Sequence, residues 1–177
     1  LLASGLDVAA INAVRKRFSR WGAGRLAAAL ASPVAPARVH CLVVSDVVGD
    51  ALAAVGSGPC VADPLDARTL VERLRAATVA HGGGTMWDAL PPSMRAYLER
   101  TVQGELPETP KPGDAAFACV TVRVVLNNAD ALTAAAARAL DHGLAPVEVE
   151  HATSGEARAC GEHVVERLVA LRDRCRA

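Results

Sequence analysis

The sequence predicts an α/β fold with a mostly parallel sheet, because three short apolar runs rich in β-branched residues alternate with helical periodicity. The runs cover residues 39–44, 120–126 and 146–150, and short connections join them to the helical segments. This alternation is typical of right-handed parallel α/β units. Near-continuous apolar runs indicate strands buried on both faces. Three strands are few for such a sheet, so we expect the sheet to be incomplete.

Two helices are predicted before the first strand. The first begins after Asp7, whose carboxylate can accept backbone N–H groups of the opening turn, and apolar residues recur at helical spacing as far as Phe18. The second runs from about Gly24 to Ala31. It ends there because Pro33 pushes the residue before it out of the helical region.

Two more helices are predicted between the first and second strands. Asp66 caps one that runs to about Ala80, and the other follows Pro91 and reaches about Arg100. The three glycines at 82–84 lie between them, and we expect a flexible loop there because no Gly-Lys-Ser/Thr follows and no strand precedes it. Residues 105–114 are rich in proline and predict irregular structure.

The last third returns to the alternating pattern. A helix rich in alanine is predicted from Ala129 to His142, capped by Asn128 and ended by Gly143. A final helix from about residue 155 to residue 174 places apolar side chains on one face.

Composition excludes several classes of protein. The 177 residues suit one domain, half of them are apolar, and the formal net charge is zero, which favours neither nucleic acid nor an anionic membrane as a partner. No apolar run approaches the roughly 20 residues of a membrane helix. Five widely spaced cysteines indicate reduced thiols in a cytoplasmic protein. Abundant alanine, and arginine in place of lysine, suggest a GC-rich bacterial genome.

Asp46 and Asp50 are the first candidate site. They follow the predicted strand at 39–44, and ligands of open α/β sheets bind at the carboxyl ends of strands. Two carboxylates there could hold a metal-bound phosphate or orient a substrate hydroxyl. The alternative is that both aspartates only shape the turn, and the residues themselves leave the two readings open.

Three further segments could contact an anion. Backbone N–H groups around Ser57 and Gly58 could form an anion-binding nest, and Lys111 is held between two prolines. The run 15–17, Arg-Lys-Arg, could form a basic face. Each has a plainer alternative: short Ser-Gly loops are common, a loop lysine is often only solvated, and a charge run is usually the solvated side of a helix.

Other residues are interpreted as structural. Cys160 and His163 have helical spacing for two metal ligands, but no third ligand is evident, so we do not expect a metal there. Trp21 and Trp87 are interpreted as packing residues and not as platforms for a nucleotide base.

Five motifs in register carry a resemblance to a known family. The chain resembles the glycerate 2-kinases, whose C-terminal half is called the MOFRL domain and whose members were often labelled hydroxypyruvate reductases. The order and spacing match from Leu1 to about Arg158. The motifs are Ile11 Asn12 Ala13 Val14 Arg15 Lys16; Gly24 Arg25 Leu26 Ala27; Ser45 Asp46 Val47 Val48 Gly49 Asp50; Ser57 Gly58 Pro59 with Asp63 Pro64; and Glu108 Thr109 Pro110 Lys111 Pro112 Gly113 Asp114.

The resemblance implies a Rossmann-like, three-layer αβα domain joined to a MOFRL domain, with ATP, Mg²⁺ and glycerate meeting between them. On that basis residues 1–177 are a single domain, the central to C-terminal part of the kinase N-terminal domain, without the MOFRL domain. A catalytic lysine upstream and the C-terminal half are then missing, so we expect the chain alone to be inactive. The implied partners are small molecules, and a homodimer is left open.

The resemblance also implies roles for particular residues. Asp46 and Asp50 would be catalytic and would hold the metal, and Lys16 would be a further catalytic group. The residues expected to bind substrate or phosphate are Arg15, Ser57, Gly58, Lys111 and Asn128.

The chain departs from the family pattern at several positions. Ala51 replaces a second acidic residue, Cys60 replaces a threonine after Ser-Gly-Pro, and Ala129 stands where the family usually has asparagine. Residues 21–23, Trp-Gly-Ala, stand where a lysine and glycine pair usually precedes Gly24.

Two other functions stay open at the level of sequence. One is reduction of hydroxypyruvate with NAD(P)H, although no Gly-x-Gly-x-x-Gly follows a strand. The other is a diverged, non-catalytic binding or structural domain, which the substituted loop positions favour.

Overall fold

Seven α-helices and two β-strands make up the part of the chain that the computed structural model describes, residues 8–31, 37–79, 83–144 and 155–176. Residues 1–125 and 126–177 form two compact units, and each is described by itself below. The elements are α1 (Val8–Phe18), α2 (Arg25–Leu30), β1 (Val39–Val44), α3 (Ala67–Ala76), α4 (Met86–Ala89), α5 (Pro92–Val102), β2 (Val120–Leu126), α6 (Asn128–Asp141) and α7 (Ala157–Arg176).

The predicted α/β class is confirmed, because β1 and β2 pair as a small parallel sheet among helices. Val39 donates its backbone N–H to the Cys119 carbonyl at 2.9 Å, at the start of the pairing. The strand predicted at 146–150 and the helix cap predicted at Asp7 lie outside the described residues.

Burial in the sheet corrects one expectation. The two strands do not have both faces buried: along β1, partly buried residues alternate with exposed ones, and Leu42 and Val44 are 69% and 66% exposed. The same alternation runs along most of β2. Apolar side chains therefore lie on both faces of the sheet, but only one face is partly covered.

The core of the first unit lies among helices and not on the sheet. Packing of α3 against α4 and α5, with α1 alongside, buries eight apolar side chains, each contributing on the order of 1.5–3 kcal/mol if fully buried. They are Val14, Leu70, Val71, Leu74, Met86, Trp87, Leu90 and Leu98.

The end of α3 and the helix that follows it differ from the prediction. Asp66 caps α3 as expected, since its carboxylate accepts the Thr69 N–H at 2.7 Å, but α3 ends at Ala76 and not near residue 80. The reason is that Ala77 adopts an extended backbone conformation and that Thr78 pairs with Thr85 as an antiparallel bridge. Thr85 then caps α4, a four-residue helix that was not predicted.

The second unit contains α6 and α7. Asn127, and not Asn128 as predicted, caps α6, because its side chain accepts the Asp130 N–H at 3.1 Å and Asp130 accepts the Asn127 N–H in return. The predicted apolar face of α7 is exposed, with Val165 and Leu168 both at 59%. Within the described ranges, no helix combines the length and apolar character needed to cross a membrane.

Candidate functional site

A tight turn follows β1 and carries the two predicted aspartates. Ser45 is buried at the strand end, and its hydroxyl accepts the Val47 N–H at 3.3 Å. Asp46, the next residue, is exposed. Asp50 closes the turn by donating its N–H to the Val47 carbonyl at 3.0 Å, with a φ of 50° that Asp and Asn tolerate better than other side chains. We call residues 45–50 the aspartate turn.

The loop around Ser57 packs against the connection between α1 and α2. The carbonyls of Ser57 and Gly58 accept the N–H groups of Ala23 and Gly24, both at 2.8 Å. The predicted nest of exposed N–H groups is wrong for these two residues, because their own N–H groups already donate within the turn, to the carbonyls of Ala54 and Val55. The Ser57 hydroxyl is a polar group through which this loop could contact an anion.

Gly24 occupies a position that disfavours any side chain. Its φ is 78°, in the left-handed region, and a Cβ added there would lie 2.7 Å from Cζ of Phe117. The close approach brings the connection between α1 and α2 onto the segment that precedes β2.

Asp63 is the centre of a buried ion-pair network. Its carboxylate lies 2.8 Å from Nζ of Lys16 and 3.6 Å from Nε of Arg17, and it accepts the Thr109 hydroxyl at 3.0 Å. Burial alone would raise the pKa of Asp63, but the hydrogen bond and charge of Lys16, the charge of Arg17 and the Thr109 hydroxyl outweigh it and lower that pKa. Asp63 is therefore held as a carboxylate inside the protein.

Glu108 joins the same network from a distant part of the sequence. One carboxylate oxygen pairs with the Arg17 guanidinium, and the other accepts the Ala67 N–H at 2.6 Å, at the first turn of α3. Burial again acts to raise the pKa of Glu108, and the Ala67 N–H, Arg17 and the Thr109 N–H lower it. Glu108 thus ties α1 to the start of α3.

Lys111 lies at the outer edge of the network. Its ammonium donates to the Leu65 carbonyl at 2.6 Å and to the Thr109 hydroxyl at 2.9 Å, and it lies 3.6 Å from the Glu108 carboxylate. Partial burial, followed by the charge of Arg17, lowers the pKa of Lys111. The side chain is still about one-third exposed. We call Lys16, Arg17, Asp63, Glu108, Thr109 and Lys111 the ionic network.

The ionic network carries an excess of positive charge, since three cations face two carboxylates. Arg25 adds a further contact beside it, donating to the carbonyls of Lys16 at 2.8 Å, Arg17 at 3.1 Å and Ser19 at 3.1 Å. These carbonyls end α1, where a cation is favourable. Arg25 therefore stabilises the helix that presents two of the network's cations.

Comparison with known proteins decides the family. Residues 1–99, more than half of the chain, match the family described as a domain of unknown function, DUF4147. The chain belongs to this family. The predicted resemblance to glycerate 2-kinases is confirmed as well, because relatives named glycerate 2-kinase and a solved structure named glycerate kinase match the chain.

Three similar proteins illustrate the match. A protein of Agrobacterium vitis named "Putative hydroxypyruvate reductase" is 41% identical over 174 residues, which cover 98% of this chain and 35% of the relative. A glycerate 2-kinase of Pyrococcus horikoshii is 37% identical over 114 residues, 63% of this chain and 22% of that protein. The crystal structure of glycerate kinase from Thermotoga maritima superposes with a TM-score of 0.55 at 29% identity, over 81% of this chain and 29% of that one.

The DUF4147 chain spans about a third of the length of the Agrobacterium relative. Two cavities flank the start of β2, one of about 490 Å³ beside α2 and one of about 300 Å³ beside Cys60. Neither is lined by Asp46 or Asp50. The predicted metal and phosphate residues therefore lie outside both cavities.

The predicted site residues of this DUF4147 member fall into three groups. Lys16 and Lys111 belong to the ionic network, while Asp46, Asp50, Ser57 and Gly58 lie on the loop after β1. Arg15 is exposed on α1, and Asn128 begins α6 in the second unit. In the described ranges, no group of three or more His, Cys, Asp or Glu side chains could hold a metal ion. Apart from the nest of N–H groups, the roles predicted for these residues stay predictions.

Sequence reasoning missed the residues that organise the network. Asp63, Glu108 and Thr109 were all within the motifs that carry the resemblance, but none was given a role. The signal present in the sequence was that both carboxylates lie next to prolines in segments without regular structure.

Proposed function

We propose that this chain is part of a kinase that transfers the γ-phosphate of ATP to a hydroxyl of glycerate. The relatives named glycerate kinase support the reaction. The observation that carries the proposal is the exposed Asp46 carboxylate directly after the carboxyl end of β1. Strand ends of this kind are where open α/β sheets bind ligands.

The donor chemistry of the aspartate turn suits Mg²⁺. That ion prefers oxygen ligands and is usually held by one or two carboxylates together with substrate phosphates, so a cluster of three protein ligands is not required. Asp46 and Asp50 would hold it. When bound, Mg²⁺ supplies neutralisation of the charge on the phosphates.

The chain's own residues would bind and orient the reactants. Asp46 would accept a hydrogen bond from the glycerate hydroxyl or face the metal, and the Ser57 hydroxyl would donate to a phosphate oxygen. Lys111 is suited to a phosphate because it is partly exposed and lies at a network with excess positive charge. In phosphoryl transfer such positioning and charge neutralisation account for most of the catalysis.

For Lys16 we propose a positioning role in place of the catalytic one predicted from the resemblance. Its side chain is 10% exposed and its ammonium lies 2.8 Å from the Asp63 carboxylate. A lysine so paired would have to abandon a buried carboxylate in order to reach a substrate. Lys16 would instead hold the segment at Asp63 against α1.

The test is product formation by the protein as its gene encodes it. Incubation with glycerate, ATP and Mg²⁺ is expected to yield phosphoglycerate, measured by phosphorus NMR, and Asp46→Asn is expected to lower kcat at least about 100-fold. Ser93→Ala, an exposed change at the start of α5, is the matched control and is expected to leave kcat unchanged. Absence of phosphoglycerate with the wild-type protein would overturn the proposal.

A second candidate is reduction of hydroxypyruvate by NAD(P)H, favoured by the name of the Agrobacterium relative. It predicts loss of NAD(P)H absorbance on addition of hydroxypyruvate, without any need for ATP. Oxidation of NAD(P)H together with no phosphoglycerate would select this function over the kinase.

A further inference from the structure

The two tryptophans of the chain differ sharply in exposure. Trp87 is 8% exposed within the helical core, as expected of a packing residue, whereas Trp21 is 45% exposed in the connection between α1 and α2. Each ring has an arginine guanidinium 4.8 Å from its centroid, Arg20 on Trp21 and Arg75 on Trp87. The arginine contact is common to both rings, so exposure is what distinguishes Trp21 from Trp87.

The backbone around Trp21 is held in place on both sides. The Trp21 carbonyl accepts the Leu26 N–H at 3.2 Å, and the Gly22 N–H donates to the Ser19 hydroxyl at 3.0 Å. Two residues later, Ala23 donates to the Ser57 carbonyl at 2.8 Å. Trp21 is thus an exposed aromatic residue whose backbone is held by hydrogen bonds, two residues from the contact with the loop in which we place phosphate binding.

Such a ring suits the flat, apolar face of a purine. Every base has a π-face, and stacking on an aromatic side chain needs no particular hydrogen-bonding edge. The guanidinium of Arg20 covers one face of the indole and adds a cation to the stack. An aromatic side chain with only two rotatable bonds also loses little entropy when it becomes ordered against a ligand.

We propose that Trp21, backed by Arg20, is the stacking platform for the purine ring of the nucleotide. This inference rests on the proposed kinase function, since it takes the phosphates of the same nucleotide to lie at the loop of residues 45–58. In this arrangement Trp21 binds the purine ring, and other residues bind the phosphates.

The experiment titrates three probes, adenosine, ATP and inorganic tripolyphosphate, into the protein as its gene encodes it. Tryptophan fluorescence of the wild type minus that of Trp21→Phe isolates the emission of Trp21. Adenosine and ATP are expected to quench this difference signal, and tripolyphosphate is not. The Trp87→Phe variant is the control, because it removes the buried indole and is expected to retain the quenching.

Affinities from calorimetry complete the test and do not depend on Trp87→Phe folding. Trp21→Ala is expected to weaken ATP and adenosine roughly 5- to 150-fold and to leave tripolyphosphate unchanged, while Trp21→Phe weakens ATP less than Trp21→Ala does. Circular dichroism checks that each variant is folded.

The outcomes separate the platform from the kinase. Equal ATP affinity in the wild type and Trp21→Ala, with adenosine leaving Trp21 emission unchanged, would reject the platform even if phosphoglycerate is formed. Quenching of Trp21 by adenosine without any phosphoglycerate would support the platform and reject the kinase. A protein that binds neither adenosine nor ATP would reject both.

Discussion

The aspartate turn and the ionic network use charged motif residues in opposite ways. In the network, Asp63 is fully buried and Lys16, Arg17 and Thr109 satisfy its carboxylate. In the turn, Asp46 is exposed at the end of a strand. Both segments belong to the motifs that carry the family resemblance, so a charge within a family motif does not by itself indicate chemistry. Burial and partners distinguish a charge that holds the fold from one available to a ligand.

The largest expected effect comes from breaking the network at its centre. Asp63→Asn leaves the ammonium of Lys16 and the guanidinium of Arg17 facing a neutral amide, so it should lower the free energy of unfolding by about 3 kcal/mol. Urea unfolding followed by circular dichroism measures this. An unchanged midpoint would mean that the network does not stabilise the fold.

The next effect tests the close contact of Phe117 with the connection between α1 and α2. Gly24→Ala should cost about 1–2 kcal/mol for a left-handed φ and a further 1–3 kcal/mol for the contact with Phe117. Gly104→Ala is the matched control, because its φ is +79° but nothing lies within 4 Å of its added Cβ. The difference between the two unfolding free energies reports the contacts with Phe117 and the Val61 carbonyl, and equal values would contradict them.

A smaller effect is expected from pH. The pKa of Asp63 is lowered in the folded state, so its contribution is fully present above the ordinary Asp value of about 3.9 and is lost as pH falls through the lower folded pKa. Below about pH 4 the wild type should lose stability more steeply than Asp63→Asn. Urea unfolding between pH 6 and pH 3 checks this, and parallel pH profiles would argue against the assignment.

The smallest effect on stability is expected in the aspartate turn. Asp46→Asn keeps the size of an exposed side chain, so the free energy of unfolding should change by less than about 0.5 kcal/mol. The same urea measurement checks it. A loss of unfolding free energy comparable to that of Asp63→Asn would show that Asp46 stabilises the fold instead.

Much of the fold was predictable because local signals are strong. The β-branched runs located β1 and β2, and Asp66 marked the start of α3. Helix α4 was missed because four residues are too few to show a periodicity. The end of α3 was missed because the pairing of Thr78 with Thr85 sets it, and a sequence pattern does not display such a bridge.

The candidate site, like the fold, was predictable only in part. The position of Asp46 follows from the end of a strand, which the sequence marks. The network does not follow, because its partners are far apart in the chain: Thr109 and Asp63 are separated by 46 residues, and Glu108 and Arg17 by 91. Only the packing of α1, α3 and the segment at 108–111 brings them together.

Measuring stability and turnover in the same two variants tests whether Asp46 serves the reaction and Asp63 serves the fold. Unfolding free energy and kcat for phosphoglycerate formation are measured together in Asp46→Asn and Asp63→Asn of the protein as its gene encodes it. We expect Asp46→Asn to keep wild-type stability and to lose turnover, and Asp63→Asn to lose stability. Wild-type turnover in Asp46→Asn, with Asp63→Asn as stable as the wild type, would contradict this expectation.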